Sequence, residues 1–275
     1  MADKLAPKQL PDELLIKPGS KVDLDDKDAD RTFGWTKDEC EAALKENRKR
    51  LADLQYELYA DRRFGLLVVF QAIDGGGKDG TIRKVITAFN PQGCSVTSFK
   101  APSEEERRHD YLWRIHKRVA PRGEIGVFNR SHYEDVLIVR VDNLVPKEVW
   151  SKRYDQINEF ERMLTENDIS VVKFFLQISK DEQKRRFEKR LAEPDKIWKF
   201  EPADVEKRKQ WTEYRKAFEA ALTRCSTAGA PWYVIPADRK WFRDFAVSQI
   251  LVRELEKLPL RFPKPNFDPT SVQIP

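Results

Sequence analysis

The chain has 275 residues, of which 40% are hydrophobic and 35% charged, with a formal net charge of +5. That is enough apolar material for one large domain, or for one domain with an appended piece, and no apolar run reaches bilayer-spanning length. MADKLAPK at the start lacks the apolar centre of a signal peptide. The three cysteines (Cys40, Cys94, Cys225) fit no metal spacing, so buried reduced thiols in a cytoplasmic protein are expected.

Residues 1–34 are polar, proline-containing and unperiodic, which predicts an extended or partly disordered arm. The first 30 residues carry −3 and the remainder +8, a surplus that favours a polyanionic ligand. Residues 36–60 have helical spacing, and Thr36 with Glu39 fits a capping box. A strand is predicted at 66–71, then a glycine-rich turn and a helix. Asn90 to Gly93 reads as a turn, 96–99 as a strand and 103–118 as a helix. Residues 125–128 form a further strand whose end, Asn129-Arg130-Ser131, begins another helix. Helix 146–166, strand 169–178, helices 180–192 and 203–222, strand 232–235 and helix 238–257 complete the alternation. Such alternation implies an α/β fold with a mainly parallel sheet covered on both faces. Ligands of these sheets bind beyond the carboxyl ends of the strands.

The most informative stretch is LLVVFQAIDGGGKDGT, residues 66–81. Gly75, Gly76 and Gly77 let the backbone aim its N–H groups at one anion. The following helix adds its partial positive charge, and Lys78 a full one. Asp79, Gly80 and Thr81 open that helix and complete the candidate phosphate-binding set. The match to a standard phosphate loop is imperfect, because Ala72 replaces the first glycine and Asp79 the metal-binding hydroxyl. Asp74, inside the loop, can take over as a Mg²⁺ ligand. The plainer reading is a glycine-rich turn with an unrelated lysine.

In VFNRSHYEDVLIVRV, residues 127–141, Asn129 stands where phosphate-loop enzymes usually place a metal-holding acid. Arg130 suits a bidentate grip on phosphate, and Glu134 or Asp135 can replace the missing charge. Simple helix capping by Asn129 and Ser131 accounts for the same residues. In SKDEQKRRFEKRLAEPDKIWKF, residues 179–200, Arg186 and Arg190 share a helix face broadened by Lys184, Arg185 and Lys189. Glu182 and Arg186 also fit an ordinary i,i+4 ion pair. In nucleotide kinases a basic lid closes over the transferring group, and Lys199 can serve the same channel. A weaker cluster, Lys100, Arg107, Arg108, His109 and Arg114, adds Lys100 and Arg107 to the candidate phosphate ligands. The three histidines are too dispersed for a zinc site and are expected to be structural.

Together these motifs resemble polyphosphate kinase family 2, and APWYVIPADRKWFR at 230–243 is similar to that family as well. The resemblance runs over about residues 10–270. Most members carry Asp at the position of Asn129; the Asn form followed by SHYED is similar to the class III subgroup. The resemblance implies a three-layer α/β/α phosphate-loop kinase domain at 35–260, a helical lid at about 180–215 and a C-terminal tail at 261–275. It implies transfer of a terminal phosphoryl group from inorganic polyphosphate to AMP or ADP, with guanine nucleotides as a second option. Mg²⁺, replaceable by Mn²⁺, and assembly into a homodimer or homotetramer follow from it too. Asp74 would hold the metal, Lys78 the phosphates and Arg130 the phosphate chain. Arg185, Arg186 and Arg190 would form the lid, and Glu134 would be the acid that compensates Asn129. No nucleic-acid or membrane partner is expected. Two other readings compete: an ATP-dependent nucleotide or nucleoside kinase, and a basic nucleic-acid-binding protein exploiting the seven tryptophans.

Overall fold

A computed structural model describes residues 10–274, without the side chain of Lys199. The five strands are β1 (Gly65–Gln71), β2 (Cys94–Ser98), β3 (Ile125–Asn129), β4 (Ile169–Gln177) and β5 (Trp232–Pro236). They form one parallel sheet in the order β2-β3-β1-β4-β5. The two strands at its centre, β1 and β4, are apolar runs buried almost throughout, as expected where helices cover both faces. The edge strand β2 is largely exposed.

The helices are α1 (Lys37–Asp61), α2 (Lys78–Val85), α3 (Glu104–Arg107), α4 (Trp113–His116), α5 (Ile138–Val141), α6 (Lys147–Trp150), α7 (Arg153–Glu166), α8 (Lys180–Ala192), α9 (Ala203–Lys209), α10 (Trp211–Cys225) and α11 (Lys240–Glu256). Leu66, Val68 and Phe70 of β1 pack with α1, α2 and α11 on one face. Leu67 and Val69 point the other way, toward α7 and α10. The period-2 alternation of a strand thus feeds two cores. Thr36 caps α1 with the expected box, and Glu39 returns the bond to the Thr36 N–H.

Four expected helices are interrupted. Within 103–118, the Asp110 carboxylate accepts from the N–H groups of Leu112 and Trp113 at 2.9 and 3.1 Å, which starts α4 afresh. Segments 146–166 and 203–222 each divide in two, because α6 and α9 bury nothing while α7 and α10 bury a full apolar face. After β3 the chain makes a 3₁₀ turn, His132–Val136, before α5. His132 and Tyr133 are both buried there.

Residues 1–9 of the expected arm lie outside the described residues. From Leu10 onward the arm covers the β5 edge: Ile16 N–H donates to the Trp232 carbonyl (2.9 Å), and Leu14, Leu24 and Ala29 are buried. Cys40 and Cys225 are buried and Cys94 is half-buried.

Asp61 fastens the junction between α1 and β1 to the C-terminal segment. Its buried carboxylate accepts from Arg63 Nε (2.6 Å), Arg63 Nη2 (2.8 Å) and the Arg261 N–H (2.7 Å). The Arg63 hydrogen bonds outweigh burial and hold its carboxyl down to about 2, from an ordinary 3.8. A depressed carboxyl contributes stability above the unfolded value, and that contribution is lost as pH falls through the folded one. Asp61→Asn should therefore melt below the wild type at neutral pH, with the gap closing between about pH 4 and pH 2. Thermal melts across that range check this; a pH-independent gap would contradict it.

Candidate active site

The carboxyl ends of β1, β3 and β4 bring three segments together, at the point where the chain leaves β1 toward one edge and later returns beside it. Between β1 and α2 the loop requires its glycines. Gly75 and Gly77 have φ of +84° and +101°, the left-handed region. A Cβ on Gly76 would sit 2.4 Å from the Ala72 Cβ, and one on Gly77 would sit 2.0 Å from Arg243 Nη1. Lys78 opens α2 and curls back, its Nζ donating to the Ala72 carbonyl at 3.0 Å. Burial lowers the Lys78 pKa, and the charge of Asp74 opposes that shift.

Asp74 is the electrostatic centre. Arg130 Nη2 donates to its Oδ1 at 2.7 Å, and Lys207 Nζ lies 3.9 Å from its Oδ2. Burial would raise the Asp74 pKa, but Lys78, Arg130 and Lys207 together lower it. Arg130 reaches this position from a left-handed backbone, φ +62°, unusual for a residue with a side chain. Its N–H bonds the Phe70 carbonyl at 3.0 Å, which ties the turn to β1. Asp74, Arg130 and Glu134 line one pocket with Gln183, Asp204, Lys207, Arg208 and the apolar Leu137, Tyr214 and Phe218. Asp135, the other candidate acid, bonds Arg153 Nη1 at 2.9 Å instead and is absent from the wall. Burial pushes its carboxyl up to about 6 against the Arg153 charge.

Two of the three departures from the standard motifs meet. Asn129 Nδ2 donates to Asp79 Oδ1 at 2.6 Å. An acid at 129 would place two carboxylates at that distance.

The surroundings of the other candidates are as follows. Arg186 is nearly buried: its Nε bonds Glu182 (2.8 Å), its Nη1 the Gly75 carbonyl (2.8 Å) and its Nη2 the Ala237 carbonyl (2.5 Å). It braces the phosphate loop, tying Gly75 to Glu182 and Ala237. Arg185 is exposed and bonds Glu182 at 2.9 Å, while Arg190 lies over the Phe187 ring. Both remain outside the pocket wall. Thr81 is fully buried and its hydroxyl donates to the Gly77 carbonyl at 3.2 Å, so its side chain turns into the helix. Gly80 packs against Arg243, where a Cβ would meet Nη2 at 3.3 Å. Lys100 and Arg107 follow the edge strand β2, and Arg107 is engaged by the Pro102 carbonyl. The side chain of Lys199 lies outside the described residues. His132 is buried and hydrogen-bonded to Glu161, as a structural histidine would be.

The wall residues contributed by α9 were not singled out in the sequence. Lys207 and Arg208 sit in the run EKRKQ, which looks like any solvated face. Arg208 donates to Gln183 Oε1 (2.9 Å), and Gln183 donates to the Asp74 carbonyl (2.7 Å). Arg243 was also missed; paired with Asp244 at 2.7 Å, it packs against Gly77 from below.

The acidic donors suit a hard cation. Among the described residues no group of three or more His, Cys, Asp or Glu gathers as a metal cage. Asp74 and Glu134 in one wall nevertheless provide one or two carboxylates for a divalent cation whose remaining ligands are phosphate and water oxygens. Among the described residues no helix is long and apolar enough to cross a membrane.

A family model described as Polyphosphate kinase 2 (PPK2) matches residues 34–262. The chain belongs to the polyphosphate kinase 2 family. A PPK2 relative from Meiothermus ruber, named AMP/ADP-polyphosphate phosphotransferase, is 50% identical over 94% of this chain and 98% of its own length. The ADP-polyphosphate phosphotransferase of Rhodopseudomonas palustris is 46% identical over 84% of each chain. The crystal structure of Polyphosphate Kinase 2 from Arthrobacter aurescens TC1 superposes with a TM-score of 0.89 at 43% identity, covering 93% of both chains. This PPK2 chain thus has the three-layer phosphate-loop kinase architecture, with helices on both faces of the parallel sheet.

Gly77→Ala tests the loop geometry. The left-handed backbone alone should cost about 1–2 kcal/mol, and displacement of Arg243 adds to it. A lower melting temperature together with at least ~10-fold weaker tripolyphosphate binding by calorimetry is expected. Unchanged binding would show that the loop does not hold the anion.

Proposed function

We propose that this PPK2 protein moves the terminal phosphoryl group of inorganic polyphosphate to AMP and to ADP, in the manner of the class III subgroup. One observation carries the reading. The loop lysine and Asp74 adjoin a pocket completed by Arg130 and Glu134 from the turn after β3 and by Lys207 and Arg208 from α9. The name of the Meiothermus relative, which includes both acceptors, supports the dual specificity.

An oxygen of the acceptor phosphate attacks the terminal phosphorus of the chain. A new P–O bond forms as the bridging P–O bond breaks, and the shortened polyphosphate leaves with the bridging oxygen. The second pKa of a nucleotide phosphate is about 6, so the acceptor is already largely anionic at neutral pH. No general base is required, and the remaining work is alignment and charge neutralisation. Lys78 and Arg130 neutralise the oxygens at the loop, with Lys207 and Arg208 opposite. When bound by Asp74 and Glu134, Mg²⁺ supplies further charge neutralisation at phosphate oxygens.

Product analysis with long-chain polyphosphate, Mg²⁺ and either AMP or ADP tests the proposal. ADP and ATP from AMP, and ATP from ADP, are expected. Turnover with ATP as the only effective donor would make the protein an ordinary nucleotide kinase. Lys78→Ala should abolish transfer, a loss of at least ~10³-fold, with the fold retained in circular dichroism.

The Asn129–Asp79 contact generates a second prediction. Asn129→Asp should shift the ratio of AMP to ADP turnover, because two carboxylates at hydrogen-bond distance repel each other or recruit a cation. Adding Asp79→Asn restores one amide and one carboxylate and should return the ratio toward the wild-type value. A ratio indifferent to both changes would show that this contact does not govern acceptor choice.

A further inference from the structure

We infer that a buried ion pair, Glu161–Lys173, is a positioning device for Arg130 and Glu134; the inference rests on the proposed role of those two residues in holding phosphate and metal. Lys173 lies on β4 between Val171 and Phe175, on the sheet face that packs against α7 and α10. Its side chain has no exposure, and that of Glu161 on α7 has 1%. Such a pair is a poor device for stability, since replacing both charges with apolar groups is often neutral or stabilising. Its bonds show what it holds instead.

Lys173 Nζ donates to Glu161 Oε2, to the Tyr133 hydroxyl (2.8 Å) and to the Cys225 carbonyl (2.7 Å). The other Glu161 oxygen bonds the Tyr133 hydroxyl (2.9 Å) and His132 Nε2 (3.1 Å). The pair therefore grips two consecutive side chains of the turn after β3. Arg130 and Glu134 flank these anchors and face the pocket. The turn needs such a grip. Arg130 has φ +62°, and a backbone of this kind persists only where its surroundings over-determine it. Ser131 adds a further tie, its buried hydroxyl accepting from Gln71 Nε2 at 3.2 Å and from the Tyr133 N–H at 3.2 Å. Inward anchors at 131, 132 and 133 thus aim the outward side chains at 130 and 134.

A double-mutant cycle on tripolyphosphate binding, measured calorimetrically without nucleotide, tests this apart from catalysis. Glu161→Gln with Lys173→Met removes both charges at once. It should weaken binding about tenfold in the wild-type background and less than about twofold in an Arg130→Met background. The same loss in both backgrounds, or a lower melting temperature with unchanged affinity, would assign the pair a purely structural role. If that variant fails to fold, Tyr133→Phe, which keeps the ring and loses the hydroxyl, runs the same cycle. It should lose about threefold in binding, again only when Arg130 is present, and full affinity would overturn the inference. Absence of tripolyphosphate binding by the wild type would instead overturn the proposed function.

Discussion

The site depends on a single carboxylate surrounded by cations. Asp74 belongs to the loop after β1, Arg130 to the turn after β3, and Lys207 to α9 above them. Without those charges, burial would favour the neutral acid. With them, Asp74 remains ionised and links three segments that are distant in sequence. The same concentration of positive charge is what a polyphosphate chain requires. Structural and functional electrostatics are therefore one arrangement, with Asp74 as its counter-ion and its candidate metal ligand.

The phosphate loop is supported from beneath by two arginines that do not line the pocket. Arg186 binds the Gly75 carbonyl, and Arg243 fills the space where Gly77 has no side chain. Both are nearly buried, and both are neutralised locally, by Glu182 and Asp244. Arg186 holds the Gly75 carbonyl, Gln183 holds the Asp74 carbonyl, and the Gly76 N–H bonds the Ile73 carbonyl, so the loop conformation is fixed by the protein itself.

A different economy operates under the turn after β3. Glu161 and Lys173 occupy positions that the pattern of β4 and α7 would give to apolar residues. The turn they hold carries one strained backbone residue and two outward side chains that must meet the loop. Apolar packing lacks direction, whereas hydrogen bonds at fixed angles fix orientation. This accounts for a charged pair in an otherwise apolar layer. The interrupted helices follow the same division of labour. Residues near the site obey the needs of the turn and pocket, while α1, α7, α10 and α11 obey the core.

Much was legible in the chain itself. Strand–loop–helix at 66–81 is a local pattern, since glycine freedom, lysine charge and the helix end all act within a few residues. The alternation of apolar runs with helical spacing determined a parallel α/β sheet, and the ends of its strands located the site. What the sequence could not rank were residues of one type in one run. Arg185, Arg186 and Arg190 look equivalent on a helix, yet only Arg186 is buried against loop carbonyls. Glu134 and Asp135 are adjacent, yet only Glu134 faces the pocket. Lys207 and Arg208 carry no local signal at all. Which charge meets which partner depends on distances between segments separated by 50 residues or more. Only the closing of the sheet brings those segments together, so periodicity determined the framework and tertiary packing chose the working side chains.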